Sequence, residues 1–236
     1  MRRAVSFLTP LGGATRPSGG ALLWFPLVGA MIGLALGGIW WVSAEAWGPA
    51  VAAAVVVAAD LGLTGLLHLD GLADSADGLL PHMTRERRLA VMAEPGVGAF
   101  GAGVVATTLL LRFAALDALR PSWLLLGGLW CASRTQMAVA ARSLPYARAE
   151  GGLASAFLDG TGHPVVVAAI GIAGSCALIL AWRPVAGAAS LASAALAAGA
   201  VLLLAWRRLG GFTGDVLGAS GMVAETVGLL VAAARW

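Results

Sequence analysis

Three aspartates stand at i, i+4 and i+7 in HLDGLADSADG, residues 68–78: Asp70, Asp74 and Asp77. At about 100° per residue they share one helical face roughly 60° wide. Carboxylates about 6 Å apart repel by about 3 kcal/mol at an effective dielectric of about 20. No Lys or Arg stands three or four residues away to offset them. The face is therefore either a solvated acidic helix end or a site for a cation. Carboxylate oxygens select hard cations, and Mg²⁺ typically takes one or two of them together with substrate phosphates. Gly71, Ala73, Ala76 and Gly78 keep the flanks thin enough for a bulky phosphorylated ligand to approach. His68 lies about 160° from Asp70 on the same ideal helix. That direction makes it a structural neighbour of the acids rather than a ligand.

Two further polar segments carry candidate groups. In LGGFTGDVLGA, residues 209–219, Gly210, Gly211 and Gly214 leave backbone N–H groups open, while Thr213 and Asp215 supply oxygens. Such a turn between helices can cradle phosphate or add Asp215 to a metal shell, although glycine-rich turns are often only turns. In YARAEGGLASAF, residues 146–157, Arg148 stands near Glu150 and is suited either to neutralising phosphate or to setting topology. EPGVGAFG, residues 94–101, reads as an interfacial turn with Glu94 as an extra ligand. Arg134 and Asp60 fall inside apolar runs, where charges are expensive and face a bundle interior. They either pair with each other or leave Arg134 free for an anionic substrate.

The elements that must position these groups are helices in lipid. Of 236 residues, 59% are hydrophobic and 11% charged, and the mean hydropathy is +0.87. Soluble domains average about 45–50% apolar and about 25% charged residues, so the solvent for most of this surface is the bilayer. Spans are expected near 21–42, 50–67, 97–116, 122–140, 164–182, 185–206 and, less completely because of Glu225, 222–234. The expected fold is an all-α polytopic membrane bundle of roughly six to seven spans with interfacial helices, forming a single domain over residues 1–236. Gly29/Gly33 and Gly33/Gly37 mark faces for close helix packing. The net charge of +3 comes with cationic residues that are all Arg and form no long run. Most tryptophans lie in or beside apolar segments, which argues against nucleic acid as a partner.

With a cytoplasmic N-terminus, that side receives Arg2, Arg3, Arg16, Arg85, Arg87, Arg88, Arg142, Arg148, Arg207 and Arg208. The other side receives Arg120, Arg183 and Arg235, with Arg112 inside the 97–116 run near that end. This asymmetry follows the positive-inside rule. It places the three polar connections, 68–96, 141–163 and 207–221, together at the cytoplasmic face. Cys131 and Cys176 have no metal-site spacing and read as small buried hydrophobes. The N-terminal segment is too weakly apolar for a cleaved signal peptide.

Taken in order, SFLT, FPLVGA, HLDGLADSADG, GAFG, Ser133-Arg134, YARAEG and LGGFTGD resemble the adenosylcobinamide-GDP ribazoletransferase, or cobalamin synthase, family over most of the chain. The resemblance implies a multi-pass inner-membrane enzyme dependent on Mg²⁺, with its active site facing the cytoplasm. Its substrates would be adenosylcobinamide-GDP and α-ribazole or α-ribazole 5′-phosphate, with GMP released late in vitamin B12 assembly. Asp70, Asp74 and Asp77 match the family's acidic motif, Gly210 to Asp215 its glycine-rich motif, and Arg148 its basic position. Asp70, Asp74, Asp77 and Asp215 are then the expected metal ligands, and Asp77, with Asp74, the expected proton acceptor. Arg148, Arg134, Gly210, Gly211, Thr213, Gly214, Glu94 and His68 are the expected substrate contacts. Glu94-Pro95-Gly96 replaces the family's usual Asp-Ser-Arg, leaving that arginine's phosphate contact to Arg85–Arg88 or Arg134. The chain also departs from the family at Pro10-Leu11-Gly12. A homo-oligomer is left open. Two rival readings are a CDP-alcohol phosphotransferase, disfavoured because Asp74 stands where that pattern has Arg, and a divalent cation transporter. The transporter would place its acids deep in discontinuous helices rather than at one membrane face.

Overall fold

The computed structural model describes residues 1–13, 15, 18–149, 151–158 and 163–236. Arg16 and Glu150 lie outside the described residues. Among the described residues ten α-helices follow in order: α1 (Arg2–Leu8), α2 (Phe25–Trp47), α3 (Pro49–Leu63), α4 (Leu67–Leu79), α5 (Arg85–Val91), α6 (Ala99–Ala118), α7 (Trp123–Ser143), α8 (Pro164–Trp182), α9 (Pro184–Leu209) and α10 (Gly214–Ala232). Short 3₁₀ turns stand at Pro10–Gly12, Gly19–Trp24 and Leu153–Phe157. Proline in the first turn starts α2, α3, α8 and α9, where its missing N–H has no helical partner to lose. Ser122, Thr84 and Thr213 cap α7, α5 and α10 by accepting from backbone N–H groups.

Among the described residues five helical stretches are long and apolar enough to cross a membrane: Gly19–Trp47, α6, α8, α9 and α10. The pair α3–α4 adds a sixth if counted as one broken span. Their outer faces expose Trp41, Leu110, Val165 and Leu196, surface that lipid tails solvate without cost. The chain is a polytopic helical membrane bundle. Helix α7 is less apolar because it carries Arg134, Gln136 and Arg142, and it runs through the middle of the bundle against α2, α8, α9 and α10. The glycine face of α2 makes that approach close: a Cβ at Gly29 would stand 2.7 Å from Arg134 Cγ, and Gly33 and Gly37 meet the α7 backbone at Leu126 and Trp123.

Two expected spans are corrected. The last helix begins at Gly214 rather than near 222 and is 19 residues long, because buried arginines pair Glu225 within the bundle. The expected 50–67 span stops at Leu63. There Gly65 and Leu66, both left-handed with φ of 58° and 61°, turn the chain by 89°. A leucine in this region is uncommon and locally strained. The turn lays α4 across the ends of three spans. Its Gly71 meets Asp215 at the start of α10, its Asp77 meets the start of α6, and its last carbonyls meet Arg208 at the end of α9.

Candidate functional site

Along α4 the three acids share one face and differ in depth: Asp70 is exposed, Asp74 half-buried and Asp77 buried. Gly71 lets this helix touch α10, since a Cβ there would stand 2.8 Å from the Asp215 carbonyl oxygen. Asp77, expected as the proton acceptor, is occupied with backbone. Its oxygens accept from the N–H groups of Gly98 at 2.7 Å and Gly101 at 2.9 Å. These are otherwise unpaired donors at the start of α6. A Cβ at Gly98 would stand 2.6 Å from Asp77 Oδ1, so the glycines of GVGAFG receive this carboxylate. Asp74 carries the electrostatic load. Burial first, and then the charges of Asp70, Asp215 and Asp77, raise its pKa to about 7 against the opposing pull of Arg148.

The loops before α8 and α10 pair through a short parallel bridge. Phe212 N–H donates to Pro145 O at 2.9 Å, and Ala147 N–H donates to Phe212 O at 2.8 Å. Gly211 has no room for a side chain beside Pro145 O, and Gly210 ends α9 in the left-handed conformation at φ 76°. Both glycines shape the turn. Arg85 clamps the pair, donating from Nε to Leu209 O at 2.7 Å and from Nη2 to Ala147 O at 2.8 Å. Thr213 is buried; it caps α10 and donates to Asp215 Oδ2 at 3.1 Å. Arg148 reaches Asp215 Oδ2 at 3.4 Å and Met92 O at 3.2 Å.

Asp70, Asp215, Arg148, Gly214 and His68 meet at one cavity of about 270 Å³. Its other walls include Phe7, Phe25 and Phe157, whose rings pack at centroid distances of 4.7 to 5.9 Å. The sequence marks SFLT and FPLVGA only as family segments; the cavity role of their phenylalanines becomes visible when α1, α2 and the 3₁₀ turn before α8 come together. Glu94 is not brought there: it is exposed and pairs with Arg87 at 2.9 Å. Arg134 is not on the cavity wall either. It is 1% exposed and stands behind His68.

Arg134 belongs to a buried ion cluster. It pairs with Glu225 at 2.5 Å, and Glu225 also pairs with Arg112. Arg112 in turn holds Asp60 at 2.6 Å, and Trp130 Nε1 donates to Asp60 at 3.0 Å. Asp60 and Arg134 are thus joined through Arg112 and Glu225 rather than directly. Arg112 is an interior residue rather than a topology marker. Two cations and two anions balance, which removes most of the cost of charge in a membrane interior.

Among the described residues no three His, Cys, Asp or Glu side chains converge as a ready metal cage. The available oxygens of Asp70, Asp74 and Asp215 are hard donors in negative excess, with Arg148 opposing them. That chemistry fits a cation held by one or two carboxylates and completed by substrate phosphate.

The family model described as CobS, cobalamin-5-phosphate synthase, matches residues 1–233. Three similar curated proteins are all named adenosylcobinamide-GDP ribazoletransferase. That of Chlorobium phaeobacteroides is 38% identical over 88% of this chain and 85% of its own length. That of Syntrophobacter fumaroxidans is 38% identical over 90% and 86%. That of Bradyrhizobium diazoefficiens is 36% identical over 99% and 93%. No solved structure matches the chain.

Proposed function

The chain belongs to the cobalamin-5-phosphate synthase family, and from that premise we propose that it is a Mg²⁺-dependent adenosylcobinamide-GDP ribazoletransferase. A free ribose hydroxyl of α-ribazole, or one other than the phosphorylated 5′ position in α-ribazole 5′-phosphate, attacks the phosphorus attached to cobinamide. The P–O bond to GMP breaks and GMP leaves. The observation that supports this reading is the acid face of α4 laid against Asp215, with Arg148 beside the same cavity. Neither rival reading, a CDP-alcohol phosphotransferase or a cation transporter, is favoured by the relatives.

Asp70 and Asp215 would hold the cation, which when bound polarises phosphoryl oxygens and offsets the charge of the departing nucleotide. Asp74, half-buried on the same acid face, would take the hydroxyl proton as general base. Asp77 keeps α4 docked on α6. Arg148 binds phosphate, and Gly214 leaves its approach open. The cavity end of the bundle, carrying Arg85, Arg148 and Arg208, faces the cytoplasm of an inner membrane by the positive-inside rule.

Purified protein in lipid nanodiscs, given adenosylcobinamide-GDP and α-ribazole, should release GMP only when a divalent cation is present. No GMP above a protein-free control overturns the activity. Equal release in excess chelator overturns the cation requirement alone.

A further inference from the structure

His68 is 3% exposed and forms part of the cavity wall. Its Nδ1 faces Arg134 Nη2 at 3.5 Å. A guanidinium has donors and no acceptor, so Nδ1 presents its lone pair, and the neutral ring then carries its proton on Nε2. Arg134 is fixed in turn, by Glu225 at 2.5 Å and by Ser133 Oγ at 2.8 Å. His68 Nε2 has no hydrogen-bond partner among the described residues. A buried N–H is rarely left unpaired, so this donor awaits an acceptor that arrives with a ligand.

The other walls narrow that ligand. Phe7, Phe25, Phe157, Met137 and Leu217 line the same cavity with apolar surface. At about 270 Å³ the cavity falls just below the roughly 300–1,000 Å³ typical of small-molecule sites. It has room for one flat heterocycle and not for a corrin macrocycle. A guanine base would need Asp70, Asp215 or Arg148 for its edge donors and acceptors, the same groups that the cation and phosphate take in the reading above. A dimethylbenzimidazole base brings an apolar bicycle and one ring nitrogen with a free lone pair. Resting on the transferase reading above, we propose that this cavity is the base subsite of the acceptor riboside, with His68 Nε2–H donating to the unsubstituted ring nitrogen. Asp70, Asp215 and Arg148 on the same cavity are then left for ribose and phosphate.

The test compares two ribosides on the full chain in nanodiscs by calorimetry: dimethylbenzimidazole riboside, and dimethylindole riboside, in which C–H replaces the free ring nitrogen. The wild type should bind the benzimidazole roughly tenfold more tightly, as one neutral hydrogen bond allows. His68→Phe should lose the preference, and His68→Gln, whose amide N–H₂ reaches near the Nε2 position, should keep part of it. ¹⁵N NMR of histidine-labelled wild type, with His68 assigned by difference from His68→Gln, should show Nε2 protonated and Nδ1 not. Equal or absent binding of the two ribosides, a preference surviving in His68→Phe, or a proton on Nδ1 each overturns the subsite. GMP release combined with equal binding would sink the subsite and leave the reaction standing. Selective binding without GMP release would do the reverse.

Discussion

At the residue scale, three aspartates of one motif acquire three different roles because their surroundings differ. Asp77 meets two backbone N–H groups, Asp74 meets other carboxylates, and Asp70 meets the cavity. The spacing of HLDGLADSADG shows that the acids share a face, but nothing in that spacing shows that Gly98 and Gly101 approach one of them. Asp74 has a measurable consequence. Its folded pKa lies near 7 against an ordinary value of 3.8. Between those values the folded metal-free protein holds a proton that the unfolded chain has lost, so stability falls as pH rises through that window. Thermal unfolding of chelator-treated protein in detergent should show this decline from about pH 4 to about pH 7, and divalent cations should reverse it at the alkaline end. Asp74→Asn should flatten the dependence while abolishing GMP release. An unchanged slope would show that Asp74 is not the group responsible.

At the element scale, the site depends on how α4 lies. Its helical character and acid face are legible from periodicity, and its polarity marks it as interfacial. The break before it is not legible, because the apolar run VAAAVVVAADLGLTGLL continues through Gly65 and Leu66 while the backbone turns by 89°. Hydropathy registers composition and is blind to φ. Seated across the bundle end, α4 is held close to α10 at Gly71. Gly71→Ala should therefore push the acid face outward. A displacement near 1 Å is expected to lower GMP release by roughly 100-fold, with about 1–3 kcal/mol of stability lost to overpacking. Gly62→Ala in α3, where an added Cβ meets nothing within 4 Å, should leave activity intact and raise stability by up to about 1 kcal/mol. Equal effects of the two substitutions in parallel turnover and unfolding assays would remove close packing as the cause.

At the scale of the whole molecule, the ion cluster of Asp60, Arg112, Arg134 and Glu225 joins α3, α6, α7 and α10 inside the bundle. Removing one partner leaves a buried charge uncompensated, which costs about 3–5 kcal/mol. Glu225→Leu should show that loss in equilibrium unfolding, while Glu45→Gln on the exposed side of α2 should change stability by no more than about 0.5 kcal/mol. A similar small effect at Glu225 would mean the cluster does not hold the bundle together. The sequence by itself determined the class of solvent, most span positions, the shared acid face and, through its ordered motifs, the family. All of these follow from composition and from spacing over a few residues. Only the tertiary structure decided that Asp77 caps α6, that Arg134 serves Glu225 and His68, and that Phe7, Phe25 and Phe157 close the cavity. Those outcomes depend on groups far apart in the chain meeting within hydrogen-bonding or van der Waals distance, and local periodicity carries no information about such meetings.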